Sequence, residues 1–296
     1  GAKEASGGGL AVQNGAVYVT TGFGALIALD ASNGAQLWVQ DLDAPGTAAP
    51  TVVGDLVYVV GRDSTAWAVE TDTGRVRWQT NGTPSIANFS GGAGVAANSE
   101  IAVIPFPSGE VIGAFPLGGL RRWSTVVSGD RLGEAVASIT DIAADPVLVG
   151  DRAYVGNFSG RLVALNSFDG ERIWTAEEGA VSPVWPAGDS IFLVNDLNQL
   201  VRLDAADGSP IWKVQLPQFT ETRVRQQRTV FAHFGPILAG GRLIIASSDG
   251  VISSFDPVSG AELSQLALPG GAASHPVVAG NTLYVVDKTG QLVAFR

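Results

Sequence analysis

The sequence predicts an all-β protein, a β-propeller of four-stranded antiparallel blades. Three observations predict it. One phrase returns six times along the chain: Ala28–Trp38 (ALDASNGAQLW), Ala68–Trp78 (AVETDTGRVRW), Gly113–Trp123 (GAFPLGGLRRW), Ala164–Trp174 (ALNSFDGERIW), Arg202–Trp212 (RLDAADGSPIW) and Ser254–Ser264 (SFDPVSGAELS). A second phrase, Pro and two apolar residues, then a Gly/Asp/Asn turn and an alternating strand, precedes it; Pro50–Val60, Pro146–Gly156, Pro236–Ala246 and Pro276–Val286 are examples. The composition, with 38 Gly, 15 Pro and only 16% charged residues, suits short strands joined by tight turns rather than charged helices.

Each module reads as a short apolar strand, a Gly/Asp turn, a β-rich strand, a turn around Asn/Asp/Ser-Gly, a third strand, a third turn, and a fourth strand starting at Trp. The glycine four residues before each Trp (Gly34, Gly74, Gly119, Gly170, Gly208) supplies a positive φ for the turn into that strand. The Trp is large and β-prone, suited to filling the gap between one sheet and the next. The sixth copy keeps Gly260 but has Ser264 in place of Trp. Spacings of 40 (Trp38 to Trp78), 45 (to Trp123), 51 (to Trp174) and 38 residues (to Trp212) match propeller blades. A lone four-stranded sheet buries one face poorly, so such modules stack.

Modules are expected at about 10–42, 50–80, 92–127, 145–178, 184–216, 236–268 and 276–296, as one domain spanning 1–296. The last stops at its third strand. There is no methionine, so the native start is expected upstream, together with a strand that closes the last module; 1–9 (GAKEASGGG) is a poor strand.

The chemistry on offer is narrow. With no cysteine there are no disulfides, thiolate metal sites or cysteine nucleophiles. A net charge of −10 disfavours nucleic acid and anionic lipid as partners. No apolar run reaches the length of a membrane helix. The two histidines, His233 and His275, lie apart and read as structural or solvated. Asp30, Asp169, Asp204, Asp207 and Asp256 recur at fixed turn positions, so they read as turn residues rather than calcium ligands or acid–base pairs. Trp67 lies on a third strand and reads as an exposed side chain; Trp185 replaces the Pro that opens a module. No cofactor, metal site or catalytic residue is expected.

Two insertions interrupt the repeat, Ser124–Ala144 and Lys213–Gly235, and long loops in a compact fold are usually functional or disordered. The second carries Arg223, Arg225 and Arg228, which form either a docking patch or a solvated strand. A shorter stretch, Thr83–Gly94, carries Ile86 and Phe89, either tucked under the loop or offered to a partner.

The repeat phrase resembles the PQQ-like repeat of quinoprotein dehydrogenases and their non-enzymatic relatives. Ile139–Val147 (ITDIAADPV), Ile191–Leu203 (IFLVNDLNQLVRL) and Leu283–Arg296 (LYVVDKTGQLVAFR) make it similar, over nearly all of its length, to the BamB family of outer-membrane assembly lipoproteins. That resemblance implies an eight-bladed periplasmic propeller, lipid-anchored at the inner face of the outer membrane, of which this chain lacks the anchor, first blade and closing strand. It implies a non-enzymatic scaffold that binds the POTRA domains of BamA and assists insertion of outer-membrane proteins, whose unfolded chains are further candidate partners. The implied contact residues are Phe89, Ser90, Arg131, Ile139 and Asp141. Ser90 stands where that family often has Arg, and Ala143 where a second Asp is common. Phe89 has core packing as its alternative, and Asp141 a turn role before Pro146. A PQQ-dependent dehydrogenase and a ligand-binding envelope propeller are the competing classes.

Overall fold

The computed structural model describes residues 8–46, 48–84, 92–127, 142, 144–220 and 229–296. They form 27 strands and, among the described residues, no helix. Two compact units are present, Gly1–Gly179 and Ala180–Arg296.

The first unit holds four sheets. They are β1 (Gly9–Gln13), β2 (Ala16–Thr20), β3 (Ala25–Asp30) and β4 (Gln36–Asp41); β5 (Thr51–Val53), β6 (Leu56–Val60), β7 (Thr65–Glu70) and β8 (Val76–Asn81); β9 (Ala96–Ala97), β10 (Ala102–Pro105), β11 (Glu110–Ala114) and β12 (Arg121–Val126); and β13 (Val147–Val149), β14 (Arg152–Gly156), β15 (Leu162–Asn166) and β16 (Arg172–Ala176). The second unit holds β17 (Trp185–Ala187), β18 (Ser190–Val194), β19 (Gln199–Asp204) and β20 (Pro210–Gln215); β21 (His233–Ala239), β22 (Arg242–Ser247), β23 (Val251–Phe255) and β24 (Glu262–Ala267); and β25 (Val277–Ala279), β26 (Thr282–Val286) and β27 (Leu292–Phe295). Every sheet is an antiparallel meander in chain order, six of four strands and the last of three. These are the blades of a β-propeller, with the module count the repeat predicts.

In the first, second and fourth sheets, the second, third and fourth strands bring a large, a small and a large residue side by side. Tyr18 faces Ala28, which faces Trp38. The small central residue lets the outer rings meet, with Tyr18 and Trp38 centroids 5.9 Å apart. Tyr58–Trp78 and Tyr154–Trp174 repeat the arrangement across Ala68 and Ala164 at 5.9 Å each, whereas in the fifth sheet Phe192 and Trp212 stand 6.0 Å apart with Arg202 between them. The third sheet has Gly113 at the centre, where any Cβ would collide with the Trp123 ring.

The fourth strand starts two residues before the Trp, not at it. A bulge falls there in all six four-stranded sheets; in the first, Gln36 pairs with Leu29 and Trp38 with Ala28, leaving Leu37 unpaired and exposed. An unpaired residue bends the strand and re-aims its neighbour, and here the Trp is aimed at the next sheet.

The indole of Trp38 donates to the Thr71 carbonyl at 2.8 Å, Trp78 to Pro116 at 2.7 Å, Trp123 to Ser167 at 2.9 Å and Trp212 to Val258 at 3.0 Å. Each acceptor lies in the turn between third and fourth strands of the following sheet, and the ring rests on the glycine of that turn. A Cβ would stand 2.8 Å from Trp38 at Gly74, 2.5 Å from Trp78 at Gly119 and 2.6 Å from Trp123 at Gly170. These glycines therefore satisfy two demands, a φ of +66° to +76° and an empty Cβ position.

Trp67 corrects the expectation of exposure. It is 4% exposed, packed with Tyr18, Leu26, Trp38 and Leu42. β7 is an inner strand of the second sheet, and its two faces pack into different clusters, Trp67 and Val69 with the first sheet and Ala66 and Ala68 with the third, so the middle of this strand is buried. In the sixth sheet, Ser264 bonds Ser254 across the strands at 2.7 Å and leaves a cavity of about 290 Å³ where a Trp would sit.

The two demands on the turn glycine are separable. Gly34 and Gly170 share the same φ, but nothing stands within 4 Å of a Cβ at Gly34. Gly34→Ala should cost about 1–2 kcal/mol from the left-handed backbone alone. Gly170→Ala should cost roughly 1–3 kcal/mol more, because Trp123 must move. Urea denaturation of the two variants measures the difference; equal losses would mean that the indole does not rest on the glycine.

Candidate protein-docking surface

Phe89, Ser90, Arg131, Ile139 and Asp141 lie outside the described residues, as do Ile86, Ala143, Arg223, Arg225 and Arg228. The described residues show what carries the two loops on which the first five lie. One loop joins β8 to β9 and the other joins β12 to β13. Both are rooted on the third sheet.

Glu110, at the start of β11, is the anchor. Its carboxylate accepts the Thr83 amide at 2.7 Å, the Thr83 hydroxyl at 2.8 Å and the Ser124 hydroxyl at 2.8 Å, with Arg121 at 3.7 Å. Burial works against its charge, but the bonds from Thr83 and Ser124 and the Arg121 charge outweigh it and hold the carboxyl below its ordinary value. The departing end of the first loop is thus tied to β11 and β12. Gly82 sits against the face of Phe106, too close for a side chain. On the returning side, the Gly94 amide donates to the Asp145 carboxylate, joining the returning ends of both loops. The Val127 amide donates to the Gly109 carbonyl at 2.8 Å, and Ile142 is buried with Ala93, Val103 and Trp123. The bases of both loops are therefore clamped together around the β10–β11 turn.

Spacing alone passes over Glu110. The signal is a carboxylate at the first position of a third strand, where other copies have Ala25, Thr65, Gln199 and Val251.

His233 opens β21 rather than lying in a loop before it. Its Nε2 donates to the Pro217 carbonyl at 2.7 Å, so Nδ1 accepts from the Ser247 hydroxyl at 2.5 Å. Burial, partly offset by the Pro217 carbonyl and Asp249, keeps the ring below its usual pKa. Both nitrogens are occupied in a neutral, structural imidazole. His275 stands edge-on to Phe234, 5.6 Å between centroids. The repeated aspartates close turns: Asp30, Asp204 and Asp256 accept the amides of Ser32, Ala206 and Val258, and Asp169 and Asp207 those of Glu171 and Ser209. Among the described residues, no three His, Asp or Glu side chains gather in a geometry that could hold a metal.

The model of the family described as outer membrane protein assembly factor BamB matches residues 1–214 and 218–296. The outer membrane protein assembly factor BamB of Shewanella oneidensis is 24% identical over 280 residues, covering 91% of this chain and 66% of the relative. That of Burkholderia pseudomallei is 26% identical over 267 residues, covering 89% and 67%. The chain spans 45% to 66% of the length of the first three curated relatives it matches. The crystal structure of BamB from Moraxella catarrhalis superposes with a TM-score of 0.83 at 20% identity, over 98% of this chain and 84% of that one, a likeness of fold.

The Glu110 anchor has a pH signature. A carboxyl held below its ordinary value of about 4.3 stabilises the fold fully above that value, and the contribution is lost as pH falls through the folded value. Glu110→Gln should cost about 1–3 kcal/mol at pH 7, with charge-accepting bonds weakened and a buried group left mismatched. The gap from the unmutated chain should close as pH drops from 5 to 3. Denaturant titrations across that range read it, and a gap that stays constant would show that ionised Glu110 does not hold the loop.

Proposed function

The chain belongs to the family of the outer membrane protein assembly factor BamB, and from that membership we propose that it is a non-enzymatic scaffold of the β-barrel assembly machinery. It works in the periplasm, at the inner face of the outer membrane, and docks POTRA domains of BamA through the loops that carry Phe89, Ser90, Arg131, Ile139 and Asp141. In doing so it assists the insertion of outer-membrane proteins. The observation that supports this reading is the shared root of the two loops: Glu110 holds one, Asp145 joins their returning ends, and the third sheet lies beneath both. A docking surface needs about 1,000 Å² with apolar anchors near its centre. Two long loops on one rigid base offer more such area than the tight turns elsewhere in the repeat.

A quinoprotein dehydrogenase is the less supported reading. It calls for carboxylates gathered around a calcium ion, whereas the repeated aspartates here are each engaged by amides of their own turn.

The test is a titration of the chain against the periplasmic POTRA domains of BamA from its own species, at two salt concentrations. Saturable binding is expected. Asp141→Arg should weaken it at least tenfold, about 1.4 kcal/mol, with an unchanged melting temperature. Equal binding by the variant would remove Asp141 from the contact; no binding at either salt would overturn the docking reading for this chain.

A further inference from the structure

The turn between third and fourth strands obeys one rule, and one copy breaks it. In five copies its first residue is polar and closes the turn. Asp30, Asn166, Asp204 and Asp256 each accept the backbone amide two residues on, at 2.7 to 3.0 Å. In the second copy Glu70 accepts from the Thr73 hydroxyl at 2.7 Å and pairs with Arg77 at 3.4 Å. The third copy, Phe115-Pro116-Leu117-Gly118-Gly119-Leu120, has no polar side chain at all.

Phe115 and Arg122 occupy the places of Glu70 and Arg77. The ion pair has become a cation–π contact: the Arg122 guanidinium lies 5.2 Å from the Phe115 centroid and is stacked over Phe168 of the fourth sheet. Among the described residues, Arg122 has neither a carboxylate within ion-pair distance nor a hydrogen-bond acceptor. The apolar side chains stay in water, with Phe115 43%, Phe168 62% and Leu117 75% exposed. Together with Ser99, Glu100 and Arg122 they line a cleft of about 440 Å³, within the range of ligand sites.

The fold does not ask for this. The two services the turn performs for packing, a carbonyl from Pro116 and a seat at Gly119 for the ring of Trp78, would both survive a polar residue at 115. A copy that gives up its turn bond for a cation–π contact and still leaves both rings in water breaks a local rule at a surface position, which marks a functional position.

We propose that the Phe115–Phe168 cleft is a docking site for an extended peptide segment in which a carboxylate side chain adjoins an aromatic one. A guanidinium stacked on a ring still presents its N–H edge, which matches a carboxylate in two parallel bonds. The carboxylate that Arg77 draws from its own turn, Arg122 draws from the ligand. Phe115, Phe168 and Leu117 take the aromatic side chain by stacked or edge contacts. Glu100 on the wall of the cleft opposes a doubly charged phosphate more than a singly charged carboxylate. This site is separate from the loops of the proposed scaffold contact and does not rest on that reading.

The probe is a fluorescein-labelled heptapeptide, Gly-Ser-Phe-Asp-Phe-Ser-Gly, read by anisotropy against the whole chain. Saturable binding is expected, at least tenfold weaker for the same peptide with Asn in place of Asp. Phe115→Glu rebuilds the ion pair of the second copy, so it should keep or raise the melting temperature while reducing binding at least tenfold. Arg122→Gln should do the same to binding. Absence of saturation, equal binding of the Asn peptide, or retained binding in both variants would overturn the proposal. Two further outcomes would overturn it by assigning the cleft elsewhere: dimerisation that Phe115→Glu abolishes, or cosedimentation with phosphatidylglycerol vesicles that it abolishes, each without peptide binding.

Discussion

Each described inter-sheet contact of one kind carries this architecture: an indole of one sheet lying on the turn glycine of the next and donating to a carbonyl of the same turn. The contact couples three requirements. The bulge aims the Trp outward from its strand, the small central residue lets it stack on an aromatic of its own sheet, and the glycine accepts the ring without a Cβ. Hydrophobic burial alone would tolerate many ring positions, because it is proportional to area and has no direction. The indole hydrogen bond has direction, so it sets how one sheet is presented to the next.

This division of labour leaves certain segments free to vary. The turn between third and fourth strands is committed to receiving a Trp, and the hairpin turns are committed to register. The connections from the fourth strand of one sheet to the first strand of the next carry neither duty. The insertions after β8, β12 and β20 fall there. A loop that must hold a partner still needs a firm root, and Glu110 and Asp145 supply it by accepting backbone amides at the loop ends. Their carboxylates act through charge-assisted bonds, which are stronger than neutral ones.

Two copies depart from the rule, and they depart differently. In the sixth, Ser264 replaces the Trp, and the loss is between sheets: an open cavity remains and Ser254 provides a local hydrogen bond instead. In the third, the Trp and its contacts are kept, and the loss is at the surface: Phe115 forgoes the turn bond and leaves Arg122 without a carboxylate. The first departure reports on packing. The second leaves packing untouched and changes what the surface can bind.

The sequence by itself determined the fold class, the strand count of each module, and the turn roles of Asp30, Asp204 and Asp256. Those depend on interactions two to four residues apart, or on a period that the repeat displays openly. It also carried the departure at Phe115, visible only once the six copies are aligned turn by turn. Tertiary structure decided the rest. The burial of Trp67 follows from the sheets on either side of β7, and the neutral His233 from Pro217 and Ser247, which lie 16 and 14 residues away. The acceptors of the four indoles lie 33 to 46 residues on. Nothing local in the sequence specifies such a partner, because which surfaces meet depends on how each sheet twists and how its bulge aims one ring.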